Sequence, residues 1–130
     1  MPAYESQPYD NLYAGGVEPK TVIAIIVKAG SGVVKRGTVL GRESQLAETD
    51  PYAGTPITVP VDSSKTGGIE NPYCILADEE VDATTKDARA VAYTSGEFNR
   101  DALKFGGTDT VAKHEVAMRN IGLITKRVVK

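Results

Sequence analysis

Hydrophobic and polar residues divide the chain into a polar first segment and a longer part made of short apolar runs. Residues 21–62 are rich in β-branched side chains and begin with the run 21–27 (TVIAIIV), which is typical of a buried strand. Glycines between residues 30 and 41 separate further short strands, and this spacing predicts a hairpin-like ribbon. Residues 57–61 alternate with period two, but the prolines in and beside this run predict an edge strand or a bend.

The C-terminal half, from residue 69 onward, mixes strand and helix patterns. Residues 74–76 and 88–94 are predicted strands around an acidic loop at residues 78–82. Asn99 is expected to cap a short helix that runs through Leu103 and ends by Gly106. Helical spacing of apolar residues predicts a second helix from about residue 109 or 110 to Gly122, with one face formed by Val111, His114, Ala117, Met118 and Ile121.

The two ends of the chain carry weaker signals. Ile124, Val128 and Val129 predict a last strand. Residues 1–20 contain three prolines and a Gly-Gly pair, with little aliphatic surface to bury, so they are expected to form an extended arm. The arm nevertheless holds Tyr4, Tyr9 and Tyr13, half of the six tyrosines. The chain is therefore predicted to comprise an arm, residues 1–20, that offers aromatic rings to another surface, and a single β-rich domain, residues 21–130.

Composition narrows the class of protein. With 130 residues, 41% hydrophobic and 25% charged, the chain is long enough for one soluble domain without disulfides or metals. Fifteen basic and seventeen acidic residues give a formal charge of −2, which does not favour nucleic acid or an anionic membrane as a partner. No secretory signal or membrane-spanning run stands out, so the protein is expected to remain in the compartment where it is made.

Candidate chemistry is sparse. Cys74 lies among apolar neighbours and is interpreted as a small core residue, and His114 lies on the apolar face of the second helix as a hydrogen-bonded buried histidine. One cysteine and one histidine are too few for a zinc site, and no phosphate-binding glycine motif is present. The acidic residues 78–82 lack the spacing of a calcium loop. We therefore expect no catalytic residue, metal or cofactor, and no enzyme.

Four segments in order along the chain resemble the lambda-type head decoration proteins of tailed bacteriophages. They are residues 9–15 (YDNLYAG), 35–41 (KRGTVLG), 75–83 (ILADEEVDA) and 95–99 (SGEFN), and together they span about three quarters of the chain. The resemblance implies a mainly β fold, a β-clip-like bent ribbon or incomplete small barrel, with one or two short helices in the C-terminal half. It also implies a homotrimer that binds the major capsid protein on the outer surface of the virion, after synthesis in the bacterial cytoplasm.

Within this interpretation the arm makes the capsid contacts, and glycines shape the ribbon. Tyr9, Leu12 and Tyr13 are the expected main anchors, with Leu12 filling an apolar pocket of the partner. The full set of expected capsid-binding residues is Tyr4, Tyr9, Asp10, Asn11, Leu12, Tyr13 and Ala14. Turns that need positive φ or close backbone approach are expected at Gly37, Gly41 and Gly96.

Two other functions remain open at this point. The first is a structural protein of the phage tail or tube, and the second is a small ligand-binding or hydrolytic domain on a β-clip scaffold, which would need a deep pocket near Cys74, His114 or Glu97. Residues 125–130 extend beyond the point where the family pattern is expected to stop.

Overall fold

The computed structural model describes residue 12 and residues 21–127, and all structural statements below concern that part of the chain. Its strands are β1 Val22–Val27, β2 Gly32–Lys35, β3 Val39–Gln45, β4 Pro56–Pro60, β5 Cys74–Leu76, β6 Glu80–Ala83, β7 Ala88–Tyr93, β8 Gly96–Asn99 and β9 Leu123–Lys126. A short 3-10 helix, Arg100–Ala102, and the helix α1, Val111–Asn120, lie between β8 and β9.

Five strands close into a small barrel in the order β1-β4-β3-β5-β7. The expectation of a mainly β fold with a small barrel is confirmed, and the barrel is closed rather than incomplete. The closing seam is the parallel pair of β1 and β4, which joins Ile26 to Ile57 and Val27 to Thr58. The buried hydroxyl of Thr58 donates to the carbonyl of Ile26 at 2.9 Å, so a side chain strengthens this short pairing.

The predicted hairpin between β2 and β3 does not form. Instead, β2 pairs antiparallel with β6, and the two make a ribbon outside the barrel sheet. The acidic segment predicted as a loop therefore contains a strand, because in β6 Val81 and Ala83 face inward while Glu80 and Asp82 are exposed. That period-two alternation is the strand signal that the high charge of the segment obscured.

The proline-bearing strand β4 lies between β1 and β3, not at an edge. Pro56 and Pro60 are its first and last residues, so the missing amide hydrogens fall at its ends and leave the middle free to pair. The prediction of an edge strand was wrong because prolines at the two ends of a strand do not prevent its central residues from pairing on both sides.

The C-terminal elements agree with their predicted positions. Asn99 caps the 3-10 helix, its side chain accepting from the amide of Asp101, and α1 begins after Thr110. The predicted apolar face of α1 is only partly buried. His114 and Met118 are buried, whereas Ala117 is exposed and Ile121, beyond the last helical residue, is 46% exposed. Strand β9 includes Ile124, and residues 128 and 129 of the predicted last strand lie outside the described residues.

Two apolar clusters make the core. The first fills the barrel and extends under the ribbon; it contains Ile25, Val27, Val34, Leu40, Cys74, Leu76, Val81, Ala83, Ala90 and Ala92. The second, which we call the outer cluster, packs one side of the barrel against β8, β9 and α1; it contains Leu12, Val39, Val61, Ile75, Tyr93, Phe98, Met118 and Leu123.

Candidate functional site

Leu12 is the one predicted capsid-binding residue that the structure describes. Its side chain is 2% exposed and belongs to the outer cluster, where it packs within its own chain. Its carbonyl accepts a hydrogen bond of 2.6 Å from the amide of Asn99. This contact fixes Leu12 to the end of β8. The other residues expected to bind the capsid, Tyr4, Tyr9, Asp10, Asn11, Tyr13 and Ala14, lie outside the described residues.

Gly37 opens the space in which Leu12 lies. It has a φ of +93°, and a Cβ atom on it would lie 2.8 Å from the carbonyl oxygen of Ala102 and 3.4 Å from Cδ1 of Leu12. The amide of Lys104 donates to the carbonyl of Gly37 at 3.0 Å, which brings the segment after the 3-10 helix against the start of β3. A side chain at position 37 would therefore push apart the elements that enclose Leu12.

The two other turn glycines lie in backbone positions that also restrict side chains. A Cβ atom on Gly41 would lie 2.7 Å from the carbonyl oxygen of Ile69. Gly96, between β7 and β8, has a φ of +138°. The first position is limited by close approach and the second by backbone conformation.

Cys74 is fully buried in the barrel interior, which confirms its interpretation as a core residue. Burial raises the pKa of its thiol to about 12, so the thiol stays protonated and is a poor nucleophile. His114 lies on α1 in a different environment, stacked on Phe105 with ring centroids 5.5 Å apart. The buried Cys74 thiol and the His114 imidazole thus lie in different parts of the fold, and this arrangement does not activate the thiol as a nucleophile.

His114 is a buried, hydrogen-bonded histidine, as expected. Its Nε2 donates to Oδ2 of Asp109 at 2.6 Å, and both side chains are 4% exposed. The same carboxylate accepts from the amide of Ser63 at 2.6 Å and from its hydroxyl at 2.7 Å. Burial alone would raise the pKa of Asp109, but the bonds from His114 and Ser63 outweigh it and lower the pKa to about 2.

The order of these three groups determines their chemistry. A catalytic serine donates to a histidine, which the carboxylate orients from its other side. Here the carboxylate of Asp109 lies in the middle and binds both Ser63 and His114, so the imidazole does not receive the serine proton. The group therefore links the loop after β4 to α1 and is structural; we call it the Asp109 clasp.

Three of the four carboxylates in residues 78–82 bind groups of the same domain. Asp78 accepts from the amide of Val91 at 3.1 Å, Glu80 pairs with Lys35 at 2.7 Å, and Asp82 binds the amide and hydroxyl of Thr84. Across the described residues no group of three or more histidine, cysteine or acidic side chains is arranged to hold a metal ion.

A wide surface depression of about 470 Å³ lies beside the loop that follows β1. Its lining includes Lys28, Ser31, Glu43, Asp62 and Lys65, and does not include Cys74, His114 or Glu97. The hypothesis of a ligand-binding or hydrolytic domain requires a deep pocket near those three residues, and this depression does not meet that requirement. None of the helices in residues 21–127 is long and apolar enough to cross a membrane.

The fold defines a small β-barrel module, and the polar side chains described above bind one another within it. A family model, that of the bacteriophage lambda head decoration protein D, matches residues 5–123. The chain belongs to this family. The family is a structural family of phage heads and not a family of enzymes, which supports a role in decorating a phage capsid. A search of curated proteins found no match.

The match includes most of the arm and ends at the first residue of β9. Residues 124–126 nevertheless belong to the fold, since they complete the parallel pairing of β9 with β8. The hydroxyl of Thr125 donates to Glu115 on α1, and Lys126 pairs with Glu97 at 2.9 Å. The start of the predicted C-terminal tail is thus part of a strand.

Proposed function

We propose that this protein is a cement protein, which binds the major capsid protein on the outer surface of a tailed-phage head as a homotrimer and stabilises the shell without catalysis. The observation that carries the proposal is the family match over residues 5–123, which covers most of the arm and most of the barrel domain. Synthesis in the bacterial host cytoplasm, before assembly on the head, belongs to the same proposal.

The position of Leu12 supports a role for the arm in attachment. Because Leu12 is held in the outer cluster and against Asn99, residues on either side of it start from a fixed point on the domain. We assign Leu12 the role of internal anchor and Tyr4, Tyr9 and Tyr13 the role of capsid contacts. Tyrosine suits this role because it offers a large contact area and a hydroxyl while few rotatable bonds become fixed.

An extended arm can bind by adding a strand to an exposed edge of the shell protein. Backbone hydrogen bonds would supply affinity, and alternate side chains would fill pockets on the partner. Three arms on one trimer would convert weak individual contacts into durable attachment, because the second and third contacts form at high effective concentration. This arrangement stabilises the shell through binding energy alone.

The test replaces Tyr9 and Tyr13 by alanine and measures binding to undecorated expanded heads together with melting temperature. We expect attachment to be lost or strongly weakened while melting stays near that of the parent, because neither substitution touches the anchor Leu12. Replacing Tyr52, which is 59% exposed in the turn between β3 and β4, by alanine is the matched control and should leave head binding unchanged. Tight head binding by the Tyr9→Ala, Tyr13→Ala protein would refute the assignment of the arm.

Electron microscopy of labelled particles tests the location. Label on the outside of heads supports the proposal, and label on tails would favour the alternative of a tail or tube protein. Deleting residues 1–20 tests the proposed division into arm and domain. Since the deletion also removes the buried Leu12, we expect it to lower the melting temperature as well as head binding.

A further inference from the structure

The outer side of α1 combines exposed apolar side chains with positive charge. The helix buries His114 and Met118, so its opposite side faces away from the outer cluster. On that side Val116 is 68% exposed, the largest exposed fraction among the large apolar residues described, and Lys113 and Arg119 are exposed near it. Ile121 is 46% exposed just beyond the helix. We call Lys113, Val116, Arg119 and Ile121 the helix face.

Charge is distributed unevenly between this end of the chain and the rest. Helix α1 carries the two basic residues Lys113 and Arg119 and a single acidic residue, within a chain whose total formal charge is −2. The one acidic residue, Glu115, is already engaged by Arg100 at 3.3 Å and by Thr125. The helix face is therefore a positive surface on a protein that is acidic overall.

The ribbon of β2 and β6 has the opposite character. Val33 on β2 is 50% exposed, and it lies directly across the ribbon from the exposed Asp82 on β6. Four of the five residues 78–82 are acidic, and the basic residue across the ribbon from them, Lys35, is paired with Glu80 at 2.7 Å, so acidic charge is in excess. Hydrogen bonds from the hydroxyl and amide of Thr84 lower the pKa of Asp82 and hold its carboxylate in place. We call Val33, Glu79 and Asp82 the ribbon face.

We propose that the helix face of one copy of this chain docks on the ribbon face of a second copy. Each face has an exposed valine. Basic residues surround the valine of the helix face and acidic residues surround that of the ribbon face, so apolar contact and charge complementarity act together. The inference rests on the proposed function in that it names the contact between copies within the decoration oligomer.

The geometry of the two faces determines the kind of assembly. The ribbon covers the barrel-interior cluster, whereas α1 covers the outer cluster, so the two faces belong to different sides of the molecule. A contact between different faces is heterologous, and copies joined in this way form a ring when the rotation closes.

The experiment reverses charge on each face, first separately and then together, and measures mass by light scattering over a concentration series. Lys113→Glu with Arg119→Glu alters the helix face. Glu79→Lys with Asp82→Asn alters the ribbon face while asparagine can still accept from Thr84. We expect each variant to weaken self-association by about tenfold or more, and the chain carrying all four changes to associate more tightly than either, because complementarity returns with opposite sign.

Apolar substitutions separate docking from folding. Val116→Asp should abolish association while its melting temperature stays near that of the parent, because the side chain is exposed. Val22→Asp, at a 51% exposed position on the barrel wall, is the matched control and should associate as the parent does. Association lost with Val22→Asp but kept with Val116→Asp would overturn the inference, as would failure of the four-fold variant to recover.

Head binding distinguishes this inference from the proposed function. If the parent associates and every face variant associates equally well, the docking contact is wrong. The capsid role then stands as long as these proteins still bind heads. A parent that is monomeric at every concentration would overturn the docking contact, and its binding to heads would then decide the capsid role independently.

Discussion

The barrel interior and the outer cluster are both fully buried, yet they are built from the sequence in different ways. Most interior residues come from strands whose inward positions alternate along the chain, such as Ile25 and Val27 on β1 and Ala90 and Ala92 on β7. The outer cluster collects single residues from distant elements, with Leu12, Phe98 and Met118 among them. The local pattern of each strand therefore determines which residues fill the interior, whereas the residues of the outer cluster come together only when the whole chain folds.

Polar groups show the same difference. In the interior, the buried Thr58 closes the seam of the barrel by bonding to the neighbouring strand. Around α1, the Asp109 clasp joins segments 46 residues apart, and Thr125 binds Glu115 across the helix and β9. The outer layer thus depends on ionised carboxylates as well as on apolar packing, which makes it the layer that pH and truncation should affect first.

The largest expected effect of a substitution lies in the barrel interior. Leu76→Ala removes a fully buried side chain from the first cluster, and we expect it to lower the free energy of unfolding by about 3 to 5 kcal/mol through lost burial and a residual cavity. Denaturant unfolding with a constant slope would measure it. Val91→Ala, 39% exposed on the neighbouring β7, should cost far less. A similar cost for the two would contradict the placement of Leu76.

The second prediction concerns the anchor of the arm. Leu12→Ala should lower the free energy of unfolding by about 2 to 3 kcal/mol, less than Leu76→Ala, because a residue near the chain start can readjust more easily. An exposed residue would show almost no effect, so the measurement decides between a core role and a purely capsid-facing role. Unchanged stability in the Leu12→Ala protein would rule out the internal anchor.

These two leucines also show what the sequence could predict. Leu76 lies in a short apolar run between turn residues, and that pattern alone identifies a buried strand. Leu12 lies among polar residues and glycines, so its burial arises only when β8 and the 3-10 helix assemble around it. Sequence pattern indicated that the arm carries apolar contacts, but could not tell whether Leu12 faces a partner or its own chain.

Pairing between strands was harder to predict than the strands themselves. The chain was expected to turn near Gly37 and pair β2 with β3, yet β2 pairs with β6. Lys35 on β2 and its partner Glu80 on β6 are 45 residues apart in the sequence. Hydrophobic alternation identifies which face of a strand is buried but carries no information about its neighbour. The Asp109 clasp was equally hidden, because no spacing rule links Ser63 to Asp109.

The third prediction compares two glycines that share a φ of +93°. A Cβ atom at Gly37 would lie 2.8 Å from the carbonyl oxygen of Ala102, whereas at Gly30 no atom lies within 4 Å. Replacement by alanine strains the backbone equally at both, so the difference in their unfolding free energies reports packing alone. We expect Gly37→Ala to cost about 1 to 3 kcal/mol more than Gly30→Ala. Equal costs would show that the elements around Leu12 separate easily.

The last prediction concerns acid and the Asp109 clasp. The pKa of Asp109 is lowered from the model-peptide value of 3.8 to about 2 in the folded protein, so folding favours the ionised carboxylate. A group of this kind stabilises the fold above its unfolded pKa, and the contribution is lost as pH falls from about 4 to about 2. Protonation would also remove an acceptor that His114 and Ser63 share.

Melting temperature as a function of pH therefore provides the measurement, with Asp109→Asn as the variant. The asparagine protein should be less stable than the parent at pH 7, and the difference should shrink as pH falls toward 2, where the parent carboxylate takes up its proton. Lowered pKa values of Asp82 and Glu115 give both proteins a common acid sensitivity that cancels in the difference. Asp101→Asn, at an exposed carboxylate of the 3-10 helix, is the control and should follow the parent throughout. A parent-to-variant difference that stays constant from pH 7 to pH 2 would mean that the outer layer does not depend on the charge of Asp109.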